Sequence, residues 1–354
     1  MSKKITKQIL FTLSLLMMVC CLSSPMKAKA ASKPVSKVYC CLYTNGNLVV
    51  SQKRIVPQRG RRVLENKRVA RPSDLINKRE VTSIQFKGMV KPKNCSLYFA
   101  GMTKVTTFKN MKNFNTSAAT NMSGMFATCN KLTRLNLSHF STKSAKRMTK
   151  MFYSCIRLSR LDVSTFNTKK VQKMNYMFAY CHNLKSLNVR KLNTAKVTSM
   201  EGMFAGCQKL TSLNVSNFNT SNVQNMSSMF AECAKLKTLN LRNFDTAKVT
   251  DMKYMFNGTS ALSTLNLSNF NTSHVTGMRA MFFDCRRLKS LDIRNFTFDK
   301  TKSSLSYMFY NVPSKVTVIV TQKGKDTLCG SQKTYARAIK HWKIIEPSQA
   351  ATRH

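Results

Sequence analysis

The chain has 354 residues, of which 59 are Lys or Arg and only 13 are Asp or Glu, so its formal net charge is +46. A hydrophobic content of 43% is typical of a folded chain and excludes disorder throughout. Eleven Gly and seven Pro exclude a collagen-like or proline-rich chain. The small number of acids argues against catalysis by paired carboxylates.

The first thirty residues have the three-part layout of a secretory signal peptide. Three Lys precede an apolar run over 9–22, and residues 28–30 form a small-x-small cleavage motif. The run is shorter than the roughly 20 residues that a membrane-spanning helix needs. Cys20 and Cys21 leave a lipoprotein signal as an alternative. We expect segment 1–30 to be removed, which leaves 54 basic and 13 acidic residues, a net charge of +41. We therefore expect a secreted protein with no membrane span.

Segment 31–95 predicts an N-terminal cap. Residues 38–50 place Thr-Asn-Gly-Asn between two apolar runs, which indicates a hairpin. Residues 51–80 are basic and irregular, and 81–86 predict a strand. Dense positive charge favours a polyanion-binding patch, although a solvated surface is the alternative. The candidate polyanion-binding residues are Lys53, Arg54, Arg59, Arg61, Arg62, Lys67, Arg68 and Arg71.

Residues 96–310 consist of a repeat of 26 residues, marked by a recurring Met-Phe pair. In the unit at 207–230, apolar residues around Asn214 alternate as in a strand, and those over 223–230 recur with helical spacing. Thr220 or Ser221 stands where a helix N-cap is expected. Each unit therefore predicts a short parallel strand, a corner and a short helix, in the pattern of a leucine-rich repeat.

A single coil can bury its apolar side chains only against its neighbours, so the repeats predict a solenoid of about eight coils with caps at both ends. Met and Phe alternate at the inward positions, which favours a packed core over an adaptable Met-rich groove. Segment 311–354 predicts a C-terminal cap and tail, with strands at 316–320 and 342–345.

Polar residues occupy fixed columns beside the predicted strand. One column holds mostly Asn, and another holds Arg on every second coil. We interpret these columns as a rigid face suited to an extended ligand. The candidate sheet-face binding residues are Arg190, Arg242, Arg294, Asn188, Asn214 and Asn240.

Six cysteines share one column of the repeat, and Thr259 replaces Cys in one coil. The six are Cys129, Cys155, Cys181, Cys207, Cys233 and Cys285. Stacked coils bring neighbouring cysteines within disulfide range, but parallel side chains do not face each other well. We predict buried free thiols, with disulfides or metal binding along the column as alternatives. Disulfides are more plausible in the caps, where the pairing stays open among Cys40, Cys41, Cys95 and Cys329.

No motif for catalysis or cofactor binding appears. The chain has no Cys-x-x-Cys, no His-Glu-x-x-His and no Gly-rich phosphate loop. Asp162 and Asp292 are variants within a column of Asn, so they do not form a placed acid–base pair. We predict a protein that is not an enzyme and has no cofactor and no metal site.

The unit at 216–230 and its copies resemble the BspA-type leucine-rich-repeat surface proteins of bacteria, over about 38–310. This resemblance implies a secreted or surface-exposed protein that adheres to host matrix proteins, and it transfers no catalytic residue. The units here are far more basic than usual for that family. We expect a binding or adhesion protein for an extended extracellular ligand. The alternative is an electrostatic binder of wall polymers, sulfated glycans or nucleic acid, sensitive to salt. The sequence predicts no oligomeric state.

Overall fold

Short β-strands recur along the chain and pair in parallel, one coil on the next. The computed structural model describes residues 37–298, 305–331 and 339–345. The predicted signal peptide and the last part of the predicted tail lie outside these residues. Among the residues that the structure describes, no helix has the length and hydropathy that a bilayer crossing requires.

Twelve strands and one α-helix are found in the described ranges. The strands are β1 Val38–Tyr43, β2 Asn47–Ser51, β3 Val63–Val69, β4 Ser83–Phe86, β5 Thr107–Lys109, β6 Arg134–Leu135, β7 Arg160–Asp162, β8 Ser186–Asn188, β9 Thr264–Asn266, β10 Ser290–Asp292, β11 Thr317–Val320 and β12 His341–Ile344. The helix is α1 Gln322–Ser331, and short 3-10 turns cover Pro72–Asp74, Lys78–Glu80 and Met111–Asn113.

The N-terminal cap is a hairpin joined to the solenoid. Strands β1 and β2 are antiparallel, and β2 then pairs in parallel with β4, which pairs with β5. The prediction that 51–80 is irregular is wrong, because β3 lies in this segment and pairs antiparallel with β1. Its four consecutive polar residues over 65–68, tolerated on an exposed edge strand, hid it from a search for hydrophobic periodicity.

The coils stack in register, so the predicted solenoid is confirmed as a parallel β-solenoid. Leu135 pairs with Leu161, and Leu161 with Leu187, across β6, β7 and β8. Strands β9 to β12 form a second parallel sheet. Between the two sheets, the described strand positions pair through a single bridge, Ser212 with Thr238. About ten coils separate β4 from β12, more than the eight predicted.

The predicted short helix is absent from the described coils. Its place is taken by turns whose alternate N–H groups donate to the next coil, as Lys150 donates to the carbonyl of Asn175 at 2.8 Å. Ser154 likewise donates to Ala179 at 2.8 Å. Lys150 and Ser154 have φ values of 58° and 56°, and such left-handed residues interrupt a right-handed helix. Hydrogen bonds that would run within a helix therefore join neighbouring coils.

The core consists of stacked ladders of identical side chains. Phe rings of successive Met-Phe pairs stack nearly parallel, with centroids of Phe152 and Phe178 5.8 Å apart and those of Phe230 and Phe256 also 5.8 Å apart. The Met residues beside them are fully buried, for example Met151 and Met177 at 0% exposure. Core filling by Met is thereby confirmed.

A buried Thr ladder reinforces the stack from inside. Thr220 does not cap a helix; its hydroxyl donates to the carbonyl of Asp245 in the next coil at 2.7 Å. Thr168 donates in the same way to Asn193 at 2.8 Å. A donor that satisfies a buried carbonyl in every coil makes hydrogen bonding, as well as apolar packing, specific to the register.

Asx turns form three corners of the coil. In one coil Asn214 accepts from the N–H of Ser216 at 3.0 Å, and Asn219 accepts from Ser221 at 3.1 Å. Asn225 accepts from Ser227 at 2.8 Å. A short carboxamide or carboxylate that binds the backbone two residues on favours a turn. The many Asn residues of the repeat are therefore used first to bend the chain.

Candidate functional site

An open groove of about 800 Å³ lies on the sheet face of the later coils. Its lining combines three columns of polar side chains, which include a single Arg and a single Asp, with four Leu and one Ile. The polar lining residues are Ser212, Asn214, Ser216, Thr238, Asn240, Arg242, Thr264, Asn266, Ser290 and Asp292. The groove spans the interruption of the strand ladder, where Ser212 and Thr238 form a single bridge, and continues over the paired strands β9 and β10.

Asn188, Asn214 and Asn240 lie on this face and are exposed, as the sequence predicted for a surface column. Each side-chain oxygen accepts a backbone N–H two residues on, at 3.2, 3.0 and 3.1 Å respectively. Their amide nitrogens donate to no residue within the described ranges. The turn fixes each side chain and directs its two N–H donors outward, which makes the column a row of oriented donors.

The three Arg candidates are not equivalent. Arg190 and Arg242 are exposed, and no carboxylate among the described residues pairs with either. Arg294 instead forms an ion pair with buried Asp292, with Nη2 and Oδ2 2.7 Å apart, and its Nε also contacts both carboxylate oxygens. The hydrogen bonds that Arg294 donates to the Asp292 carboxylate raise the pKa of Arg294. Arg294 is therefore engaged within the protein, and its assignment to ligand binding stays a prediction.

Two further arginines on the sheet face were missed by sequence reasoning. Arg134 and Arg160 lie directly side by side on β6 and β7, and both are exposed. Like charges opposite each other on neighbouring strands are destabilising unless a counter-charge is present. Asp162 is near in sequence, but its carboxylate accepts from the N–H of Ser164 at 2.8 Å. The repeat spacing could have revealed this pair, because both arginines occupy the column that holds Ser212 and Thr238 in later coils.

The eight basic candidates of the cap divide into two groups. Lys67 pairs with Glu65, Arg68 lies over the ring of Tyr39, and Arg71 pairs with Asp74 at 2.8 Å. These three stabilise the cap. The other five lie on the loop over 52–62, are exposed, and make no ion pair with any described residue; they are Lys53, Arg54, Arg59, Arg61 and Arg62.

The cysteine column consists of free thiols. Cys155 donates to the carbonyl of Phe126 at 3.1 Å, and Cys207 to that of Phe178 at 3.3 Å. Burial raises the pKa of Cys155 to about 12, so it does not ionise at neutral pH. Thr259 donates its hydroxyl to Phe256 at 2.7 Å instead. In the caps, Cys40, Cys41 and Cys95 are also free and buried.

The fold thus defines a repeat protein of the β-solenoid class, with a polar sheet face. A comparison with protein families matches residues 93–213 and 202–320 to the family described as "Mycoplasma protein of unknown function, DUF285". These matches cover more than half of the chain, so the chain belongs to this family.

A search of solved structures finds a similar chain in the crystal structure of a leucine-rich repeat protein from Eubacterium ventriosum. It is 13% identical, and the match covers 88% of this chain and 94% of that chain with a TM-score of 0.31. A score this low supports no argument from that structure. A comparison with curated proteins finds no match.

Proposed function

We propose that this is an extracellular binding protein of the adhesin class, whose sheet face receives an extended ligand such as a host matrix protein. The groove of about 800 Å³ carries this proposal, because it crosses several coils and is lined by hydroxyl and amide groups. An extended chain lying across the coils would meet the same set of donors and acceptors at each step.

Pre-organisation favours recognition at this face. The Asn side chains are held by their Asx turns before any ligand arrives, with Asn214 bonded to Ser216 and Asn240 to Arg242. Side chains that are already ordered lose little conformational entropy on binding. Most of the groove lining lies in the coils over 207–284, which contain 7 basic and 4 acidic residues, so shape and hydrogen bonding would dominate there.

The test fills the groove with side chains that the repeat already accepts. Ser212→Arg with Thr238→Arg introduces Arg into the column that Arg134 and Arg160 occupy in earlier coils. We expect the double variant to fold normally and to lose binding to matrix proteins on an array by at least about tenfold, as expected for steric exclusion from a binding surface.

A matched control adds the same charge elsewhere. Gln172→Lys with Gln224→Lys places two cations in the exposed column that Lys146 already occupies on the turn side of the coil. This control should bind as the wild type does. Undiminished binding by the groove-filling variant would contradict the proposal.

The second candidate function, an electrostatic polyanion binder, is favoured by the charge of the earlier coils. Residues 129–206 contain 15 basic and 2 acidic residues. If charge alone is the function, the groove-filling Arg variant and the Lys control variant should both bind a sulfated glycan more tightly than the wild type does. Their binding should fall steeply as the salt concentration rises. The same two variants therefore separate the two candidates.

A further inference from the structure

Exposed large apolar side chains are concentrated in the N-terminal cap. Among the described residues, only six large apolar side chains are exposed, and five of them lie between 56 and 89. The five are Val56, Val63, Leu64, Ile76 and Met89, and the sixth is Tyr307. Val56 and Ile76 are 80% and 83% exposed, a degree that scattered surface residues of the solenoid do not reach. A local excess of exposed apolar surface marks an interaction site.

The loop over 52–62, called the cap loop below, adds five unpaired cations to the same region. The loop is held in place, since Ile55 is 4% exposed and packs with Cys41 and Tyr43. The N–H of Gln58 donates to the hydroxyl of Tyr43 at 3.1 Å. The N–H of Thr44 donates to the carbonyl of Arg62 at 3.1 Å. The five cations are thus presented on an anchored loop.

The apolar and cationic side chains meet around strand β3. Val56 lies within the cap loop, and Leu64 follows Arg62 by two residues at the start of β3. Val63 pairs with Tyr43, the residue that anchors the cap loop, so it lies on the same face of the sheet as that loop. β3 is the edge strand of its sheet, so these residues are not covered by a further strand among the described residues.

We infer that the cap loop and the apolar residues around β3 form a surface that docks onto a bilayer containing anionic lipid. Anionic headgroups complement the five cations, and the acyl boundary accepts Val56, Val63 and Leu64. A soluble polyanion would use the cations alone and would leave the apolar side chains in water. The apolar exposure therefore favours a bilayer over a soluble polymer.

This combination of contacts gives reversible binding. Each cation near an anionic surface strengthens binding by about fivefold, and salt weakens that contribution. Buried apolar side chains add a contribution that salt does not screen. The docking surface is in the cap, whereas the groove begins at Ser212. A variant can therefore lose bilayer binding and keep ligand binding in the groove, or the reverse.

The test is sedimentation of the mature full chain with vesicles at about 0.15 M NaCl. One set of vesicles is neutral phosphatidylcholine and the other contains one-third phosphatidylglycerol. We expect binding to the anionic vesicles only. Val56→Ser, Val63→Ser and Leu64→Ser together should lower vesicle binding by about tenfold or more, while binding to soluble dextran sulfate stays unchanged.

Two variants that each lose five positive charges complete the experiment. Neutralising the cap loop, with Gln at Lys53, Arg54, Arg59, Arg61 and Arg62, should abolish vesicle binding. Neutralising five exposed lysines of the solenoid instead should reduce it only slightly. These control positions are Lys143, Lys146, Lys169, Lys170 and Lys196. Thermal unfolding of each variant checks that it is folded.

Three results would overturn the inference. Absence of binding to anionic vesicles removes the surface altogether. Vesicle binding that survives in the Ser variant makes the cap loop a site for soluble polyanions. Equal losses in the cap-loop and solenoid variants attribute binding to net charge and not to this surface.

Discussion

Two groups of three coils share one backbone and one core but carry different surfaces. Coils over 129–206 contain 15 basic and 2 acidic residues, whereas coils over 207–284 contain 7 basic and 4 acidic residues. The groove begins in the second group, at Ser212. The adjacent exposed arginines Arg134 and Arg160 belong to the first. Charge and groove are thus located in different parts of one solenoid.

This difference teaches that the inward columns determine the fold and leave the outward columns free. Phe152 and Phe230 are equally buried, and Thr168 and Thr220 make the same hydrogen bond to the next coil. Outward positions can then change between Arg, Ser and Thr without altering the register. We therefore expect the outward columns to determine which ligand such a protein binds.

The largest expected effect tests whether the core is the same in both groups. Phe152→Ala and Phe230→Ala each remove a fully buried ring from the ladder and should lower the free energy of unfolding by about 3–5 kcal/mol. Urea unfolding measures both. The two losses should agree, because the neighbouring rings lie 5.8 Å from Phe152 and from Phe230 alike. A twofold disagreement would mean that the core is not shared.

The next effect concerns the Thr ladder. Thr168→Val and Thr220→Val keep the shape of the side chain but leave the carbonyls of Asn193 and Asp245 without their donors. Each should cost about 1–2 kcal/mol. A loss near zero in one group of coils would show that solvent satisfies the carbonyl there, and the two groups would differ inside as well as outside.

The smallest effect depends on pH and on Glu232. Burial, and secondarily the charge of Asp284, raises the pKa of Glu232 above its ordinary value of 4.5. The folded state therefore favours the protonated acid, and its stability falls as the pH rises through the raised pKa. Glu232→Gln should raise the unfolding temperature at neutral pH and have no effect below the ordinary pKa.

Glu201→Gln is the counterpart in the more basic group. Glu201 accepts from the hydroxyl of Tyr176 at 2.5 Å, so its loss should destabilise the protein slightly. Opposite effects of Glu232→Gln and Glu201→Gln on stability would support the difference between the two groups of coils. A stabilising effect of Glu201→Gln, or a stabilisation by Glu232→Gln that persists in acid, would contradict it.

The sequence was sufficient to predict the stacking, because its apolar columns repeat at a fixed interval. It misled on the helix, because Met174 and Met177 have the spacing of a helical face although left-handed Tyr176 lies between them. Gly124 and Gly202 fall in one of the columns that have positive φ, and this was the available signal. Tyr176 and Lys150 share that column and conceal it.

The sites were predicted less completely, because the local conformation of the folded chain decides which neighbouring charges form ion pairs. Arg294 belongs to a repeating column, but only Asp292 within the same coil commits it to an ion pair. Lys67 and Arg71 likewise find their acids only in the folded cap. Columns predict where a side chain points, whereas its charge partner depends on local exceptions to the repeat.

The most direct test of the separation between groove and charge is the affinity for a matrix protein at about 0.15 M and about 0.5 M NaCl, where the Debye length falls from about 8 to about 4 Å. It compares the wild type, the groove-filling variant Ser212→Arg with Thr238→Arg, and a variant with Gln at Arg134 and Arg160. Our account predicts that groove filling abolishes binding at both salt concentrations. It also predicts that removing the two arginines changes only the salt dependence. Tight binding by the groove-filling variant, lost entirely in high salt, would contradict it.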